Sequence, residues 1–129
     1  MTTKCYAATE SKGELAPFSI KRRSVGPDDV EIKIKWSGIC HSDLHQVNED
    51  WGPAIFPMVP GHEIVGFVSK VGSNVKKFAI NDTVGVGCMV DSCRTCCNCK
   101  NSEEQYCLTG NISTLIKILL LSFLKSLVI

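Results

Sequence analysis

The sequence predicts a mainly β fold, built from short strands packed as a sandwich or a barrel. Two observations carry this prediction: apolar and polar residues alternate in strand-length runs, and Gly- or Pro-containing turns separate these runs. The chain has 129 residues, enough for one domain or for part of a larger one. Hydrophobic residues make up 44%, which suits an ordinary core, and a net charge of +1 does not indicate a nucleic-acid or membrane-surface partner.

Three strands are predicted in order along the chain. Residues 30–36 alternate between apolar and polar side chains, which is typical of a half-buried strand, and a turn at 26–29 precedes them. Residues 64–71 form the second strand and end at the turn 72–74. Residues 84–90 are apolar and contain two glycines, and we interpret them as the third strand.

One short helix and one loop are predicted between the first two strands. Residues 41–50 are polar enough for a short surface helix, with Ser42 or Asp43 as its cap. Residues 52–61 contain three prolines and suit a loop, because proline has no backbone N–H to donate to a helix or a sheet.

The last segment, residues 112–129, differs in composition from the rest of the chain. It contains no Gly, Pro, Asp or Glu, and its only charged residues are Lys117 and Lys125. A membrane span needs about 20 mostly apolar residues, so a shorter run with two charges is disfavoured as one. On a helical wheel, apolar residues occupy almost the whole circumference of this segment, which favours a buried or partner-seeking helix over a surface helix.

Eight cysteines are many for a chain of this length. The first residues have no apolar stretch of the kind found in secretory signals, so we expect a reducing, cytoplasmic compartment. In such a compartment, clustered cysteines indicate metal binding more often than disulfides.

The strongest motif is a cluster of four cysteines with the spacing C-x2-C-x2-C-x7-C. Four thiolates around one centre suit a structural zinc ion, which takes four protein ligands and leaves no position open for a substrate. Cys97, inside the cluster, is a competing ligand, but its use would break the even spacing. An iron–sulfur cluster is disfavoured, because the ferredoxin run closes with x3 and a proline. The four residues are Cys93, Cys96, Cys99 and Cys107.

A second group of metal-binding residue types lies upstream, in the run 40–45 and at His62 and Glu63. Catalytic zinc uses three protein ligands, and one thiolate with one imidazole supplies part of such a set. The spacing of Cys40 and His62 alone is weak evidence. Taken singly, Cys40 is better explained as a buried small apolar residue and His62 as a loop histidine bonded to backbone.

The fixed positions around His62 are more specific. The pattern Gly61-His62-Glu63-x2-Gly66-x5-Gly72-x2-Val75 matches the zinc alcohol dehydrogenase signature, and the run 40–45 and the four-cysteine cluster flank it in that family's order. Over about residues 4–108 the chain resembles the N-terminal part of a medium-chain, zinc-dependent alcohol dehydrogenase. It most resembles the cinnamyl alcohol dehydrogenase branch, which includes NADP-dependent aldehyde reductases.

This resemblance implies two zinc sites. Cys40 and His62 would bind the catalytic zinc, with Glu63 beside it as an outer or exchanging ligand. Asp43 would accept the free imidazole N–H of His62 and fix its tautomer. The structural zinc would be held by Cys93, Cys96, Cys99 and Cys107.

The resemblance also implies a reaction. Ser42 would hydrogen-bond the substrate hydroxyl and His45 would pass its proton to solvent, which suits an imidazole with a pKa near 6.5. The family oxidises small primary alcohols, or reduces aldehydes, with NADP(H). A homodimer is implied for full-length relatives, and no nucleic-acid partner is.

The implied fold is an incomplete GroES-like barrel at residues 1–110, with a zinc lobe at about 88–108. The family's third catalytic ligand and its dinucleotide-binding domain lie further along, and these 129 residues contain no G-x-G-x-x-G turn. We therefore expect a truncated N-terminal fragment, inactive alone, with 111–129 as an apolar tail foreign to the family, as intron read-through or a frameshift would produce. The alternative is a non-enzymatic zinc-binding module, or a partner of full-length subunits.

Overall fold

Most regular elements of the structure are β-strands. The structure is a computed structural model, and it describes residues 2–114 and 127–128. The mainly β prediction is confirmed. In chain order the elements are β1 (Thr2–Ala7), β2 (Ala16–Lys21), β3 (Val30–Ser37), α1 (His41–Val47), β4 (Ile64–Val71), β5 (Thr83–Val86), β6 (Met89–Asp91), α2 (Cys97–Lys100), a 3-10 turn (Glu104–Tyr106), β7 (Ile112–Ser113) and β8 (Leu127–Val128).

The strands form one four-stranded sheet and two hairpin-sized sheets. The large sheet has the order β5-β4-β3-β8, while β1 pairs with β2 and β6 pairs with β7. Within the described residues these sheets do not close into a barrel, which agrees with the predicted incomplete barrel.

The first two predicted strands are confirmed as β3 and β4, but the third is wrong in its extent. A single strand over 84–90 was expected, and two strands are found, with Gly87 and Cys88 between them. The chain changes partner at this point, because β5 pairs with β4 and β6 pairs with β7. Thr114 binds the two residues between the strands: its N–H donates to Cys88 O at 2.8 Å and its hydroxyl donates to Gly87 O at 2.5 Å.

Two apolar clusters form the described core. The first lies on one face of the large sheet and centres on Val30, Ile32 and Val68. The second joins the end of β1 to α1 through Ala8, Val47 and Met58. Ala8 and Met58 also exchange backbone hydrogen bonds at 2.8 Å. The second cluster therefore fixes α1 against the proline-containing loop that leads to β4.

The predictions for residues 111–129 lie largely outside the described residues. Ile112 and Ser113 form β7, and β8 runs parallel to β3, with Leu127 opposite Val30. Among the described residues, no helix has the length and apolar character needed to span a membrane.

Candidate metal centres

The first candidate centre is built where β3 ends and β4 begins. Cys40 precedes α1 and His62 precedes β4, so the pairing of the two strands brings these residues together. One ligand atom from each of Cys40, His62 and Glu63 lies within 4.8 Å of the others. His62 is 4% exposed, Cys40 is half-buried and Glu63 is exposed. The group therefore has a buried side and a side open to solvent.

Asp43 links two parts of this centre. Its Oδ2 accepts the backbone N–H of Cys40 at 2.9 Å, and its Oδ1 lies 3.1 Å from His62 Nδ1. A carboxylate only accepts, so Nδ1 carries the proton and the lone pair of Nε2 is left for another partner. The N-cap residue of α1 is Cys40, and not Ser42 or Asp43 as predicted. Asp43 lies in the first turn of the helix, and its side chain accepts the N–H of the N-cap residue.

Ser42 and His45 lie on the same helix but make different contacts. Ser42 Oγ accepts from the Cys40 thiol at 3.5 Å, so it lies at the centre. His45 Nδ1 lies 2.7 Å from Asp50 Oδ2, and its ring packs between His41 at 4.6 Å and Trp51 at 5.0 Å. Among the described residues, His45 bonds to Asp50 and not to Ser42.

Sequence reasoning missed Asp50. An acidic residue five positions after a histidine, beyond the end of the helix, carries no recognisable signal. The contact arises because the Asp50 N–H donates to His45 O at 3.0 Å and turns the chain back over the helix end.

The second candidate centre is the four-cysteine lobe. The thiols of Cys93, Cys96, Cys99 and Cys107 all lie within 4.8 Å of one another. Sulfur–sulfur distances are 3.8 Å for Cys93–Cys99 and 3.5 Å for Cys96–Cys99. Tetrahedral zinc with Zn–S bonds of about 2.3 Å requires separations of about 3.8 Å. The four residues therefore fit a zinc ion.

Local backbone geometry directs N–H groups at these sulfurs. Cys93 Sγ accepts from Cys96 N at 3.3 Å and from Thr95 N at 3.5 Å. The hydrogen bonds from the backbone and side chain of Thr95 are the main reason that the pKa of Cys93 falls to about 5. The hydrogen bond from the Thr109 hydroxyl likewise lowers the pKa of Cys107.

The pKa of Cys99 shifts in the opposite direction. The Ser92 hydroxyl, 3.4 Å from its sulfur, lowers the pKa of Cys99. Burial and the hydrogen bond with Cys96 outweigh this effect and raise the pKa of Cys99 to about 11. The pKa values of Cys93 and Cys99 thus shift in opposite directions, as expected when thiols share one site.

Cys97 lies outside the group of four. It is exposed, and its thiol donates to Asn98 Oδ1 at 3.6 Å. Its position as the first residue of α2 turns it away from the sulfurs contributed by its neighbours Cys96 and Cys99.

Comparison with known proteins identifies the class to which this fold and these two centres belong. Residues 26–122 match the model of the alcohol dehydrogenase GroES-like domain. The chain belongs to this family, and the sequence-based recognition is confirmed.

Individual relatives agree with the cinnamyl alcohol dehydrogenase branch. The chain is 57% identical over 102 residues to a "Probable mannitol dehydrogenase" of Medicago sativa, covering 79% of this chain and 28% of that protein. It is 57% identical over 104 residues to "Probable cinnamyl alcohol dehydrogenase 3" of Oryza sativa subsp. japonica, covering 81% of this chain and 28% of that protein.

A solved structure gives the same result. The fold superposes on "CAD from Helicobacter pylori complexed with NADP(H)", with a TM-score of 0.83 and 45% identity. That match covers 88% of this chain and 33% of the other. The chain thus spans less than a third of the length of the two curated relatives named above.

Proposed function

We propose that this chain is the metal-binding part of a zinc-dependent oxidoreductase that interconverts small primary alcohols and aldehydes, of the cinnamyl type, with NADP(H). The convergence of Cys40, His62 and Glu63 within 4.8 Å, with Asp43 behind His62, is the observation that carries the proposal. In this proposal, residues 1–110 form the GroES-like domain, the zinc lobe spans about 88–108, and 111–129 is an apolar tail.

Cys40 and His62 are the proposed ligands of a catalytic zinc, and Glu63 is an outer or exchanging ligand. Zinc bound there would supply Lewis acidity, which lowers the pKa of an alcohol and polarises the carbonyl of an aldehyde. Asp43 keeps the proton of His62 on Nδ1, so that Nε2 remains free to bind. The closed site would be held by Cys93, Cys96, Cys99 and Cys107.

The proton path is assigned to Ser42 and His45. In this proposal Ser42 hydrogen-bonds a substrate hydroxyl, and its Oγ lies 3.5 Å from Cys40 Sγ. His45, at the outer side of α1, takes the proton to solvent, and Asp50 holds its ring by the contact at Nδ1. His45 Nε2 is then the nitrogen that exchanges the proton.

The hydride carrier is proposed as NADP(H), on the basis of the relatives. The 129 residues contain no Gly-rich dinucleotide turn, so the 129-residue polypeptide by itself is proposed to be inactive. A cytoplasmic location is proposed from the need to keep these thiols reduced. A homodimer is proposed for full-length relatives only, from family resemblance.

A second candidate is a non-enzymatic zinc-binding module, or a partner of full-length subunits. The four-cysteine lobe favours it, because this site is complete within the chain and needs no further ligand.

Zinc content and turnover test both candidates. Two zinc ions per purified chain, measured by mass spectrometry, would support the open site. A single zinc ion would mean that only the four-cysteine lobe binds metal. NADP(H)-dependent turnover of cinnamaldehyde is expected to be absent for the 129-residue polypeptide. Clear turnover would contradict the proposed inactivity.

A further inference from the structure

Gly38 lies flat against the side chain of Glu63. It follows the last residue of β3, and its N–H donates to Glu63 O at 2.8 Å, next to the Ser37–Ile64 pair of the β3–β4 ladder. The two residues are therefore direct neighbours across the strands, at the edge of the open centre.

A side chain at position 38 has no room. A Cβ built there would lie 2.9 Å from Glu63 Cβ and 3.3 Å from Glu63 Cδ, and it would overlap Glu63 Oε2. Rotation of the carboxylate relieves only the overlap with the oxygen. The contact between the two Cβ atoms also requires a backbone shift, in the segment that carries His62.

Gly66 and Gly72 are also closely packed, but a Cβ there would overlap backbone oxygens and not a candidate ligand. Two glycines of the neighbouring segment have room for a side chain. A Cβ at Gly87 would meet nothing within 4 Å, and a Cβ at Gly85 would only reach Ile64 O at 3.4 Å. Gly38 is thus distinguished by its contact with a residue whose carboxylate lies within 4.8 Å of the Cys40 and His62 ligand atoms.

We propose that Gly38 is a positioning residue for Glu63: its missing side chain leaves the space in which the carboxylate lies beside Cys40 and His62. The inference rests on the proposed metal-binding role of this centre and adds a specific residue to it. Gly38 itself touches neither metal nor substrate, and acts through Glu63.

The test is zinc titration of the whole 129-residue chain against a chromogenic chelator. The tighter equivalent reports the four-cysteine lobe and serves as an internal reference, and the weaker one reports the open centre. Gly38→Ala is expected to weaken the second equivalent about tenfold, as for other groups that orient a ligand, and to leave the first unchanged. The control Gly87→Ala is expected to change neither.

A double-mutant cycle separates positioning from general packing. In a Glu63→Ala background, Gly38→Ala is expected to cost less than about threefold further, because no carboxylate remains to be displaced. The same tenfold loss in both backgrounds, or no loss in the single variant, would overturn the inference.

A measurement on the metal-free chain keeps the inference distinct from the proposed function. A strong nuclear Overhauser effect is expected between Gly38 Hα and the Glu63 side chain. Its absence would overturn the inference whatever the zinc stoichiometry. A wild-type chain that shows this effect but binds only one zinc would instead contradict the proposed open site.

Discussion

Asp43 serves two structural purposes with one carboxylate. One oxygen completes the start of α1 by accepting the Cys40 N–H, and the other holds His62 Nδ1. The start of the helix and the tautomer of the histidine are therefore coupled, although Asp43 and His62 lie 19 positions apart in sequence. A change at Asp43 should disturb both.

Asp43→Asn tests this coupling. An asparagine has one acceptor oxygen in place of two, so either the cap or the His62 contact is lost. We expect zinc affinity at the open centre to fall by about 10- to 100-fold, measured by competition with a chelator. Asp50→Asn, which changes the partner of His45 only, should leave that affinity unchanged. Equal losses in both variants would contradict the specific role of Asp43.

Asp29 is a buried charge with a structural purpose. It is 2% exposed, and its oxygens accept from Arg23 Nη2 at 2.8 Å and from Gly26 N at 2.6 Å. The hydrogen bond from Arg23 is the main cause of the lowered pKa of Asp29. Folding therefore favours the ionised form. The resulting stability is present above the unfolded pKa of about 4 and is lost as pH falls through the lower folded pKa.

Asp29→Asn should remove this pH-dependent contribution. We expect the free energy of unfolding at pH 7 to fall by about 3 kcal/mol, because the Arg23 guanidinium would lose the carboxylate that balances its charge. Its decline below about pH 4 should also become shallower than in the wild type. Urea unfolding between pH 2 and pH 7 measures both effects. Asp28→Asn, at an exposed residue bonded to Asn74, is the matched control.

At the scale of elements, alternation in the sequence predicted β3 and β4, although only β4 buries every second residue, at Ile64, Gly66 and Val68. In β3 the three residues 30–32 are buried and the rest are exposed. Alternation did not reveal β1 and β2, whose mixed side chains are mostly exposed or half-buried and pair only with each other. Only Ala7 and Ile20 in this pair are buried, which is too few to produce a readable period.

A bulge in β3 is the second feature that alternation could not predict. Ile34 lies opposite Gly66, but Trp36 lies opposite Val65, so the register shifts by one residue between them. A one-residue shift turns the following side chains to the other face of the sheet. In a regular strand Trp36 would lie on the same face as the buried Ile32. It is instead 57% exposed and packs against Phe67, with 6.4 Å between the ring centroids.

The four-cysteine lobe behaves as an element of its own, since α2 and the 3-10 turn contact each other around the thiols. Cys107→Ser should remove the lobe's zinc, because three thiolates leave the site open. We expect one zinc fewer per chain and faster proteolysis between residues 92 and 108. Cys97→Ser, at the exposed neighbour, should retain the wild-type zinc content. A reduced zinc content in Cys97→Ser would mean that Cys97 is a ligand.

For the whole molecule, the residues of both centres could be predicted from sequence, because their spacing follows fixed motifs. The spatial relations could not. Asp50 reaches His45 by a backbone turn, and Gly38 meets Glu63 only through the β3–β4 register. Neither relation leaves a pattern along the chain.

Metal binding should also stabilise the whole fold. Zinc that binds only the folded chain at 100 times its Kd adds about 2.7 kcal/mol to the free energy of unfolding. We expect a higher melting temperature with added zinc and a lower one with EDTA. In Cys107→Ser this response should be smaller, and an undiminished response would show that the lobe does not bind the stabilising ion.

The ring stack around His45 gives the chain an intrinsic optical probe. The sequence has two tryptophans: Trp51 touches the His45 ring, and Trp36 lies apart, beside Phe67. Indole emission depends on the groups in contact with the ring. With Trp36 replaced by Phe, the remaining fluorescence would come from Trp51 alone. Events at the end of α1 could then be followed in real time without an attached label.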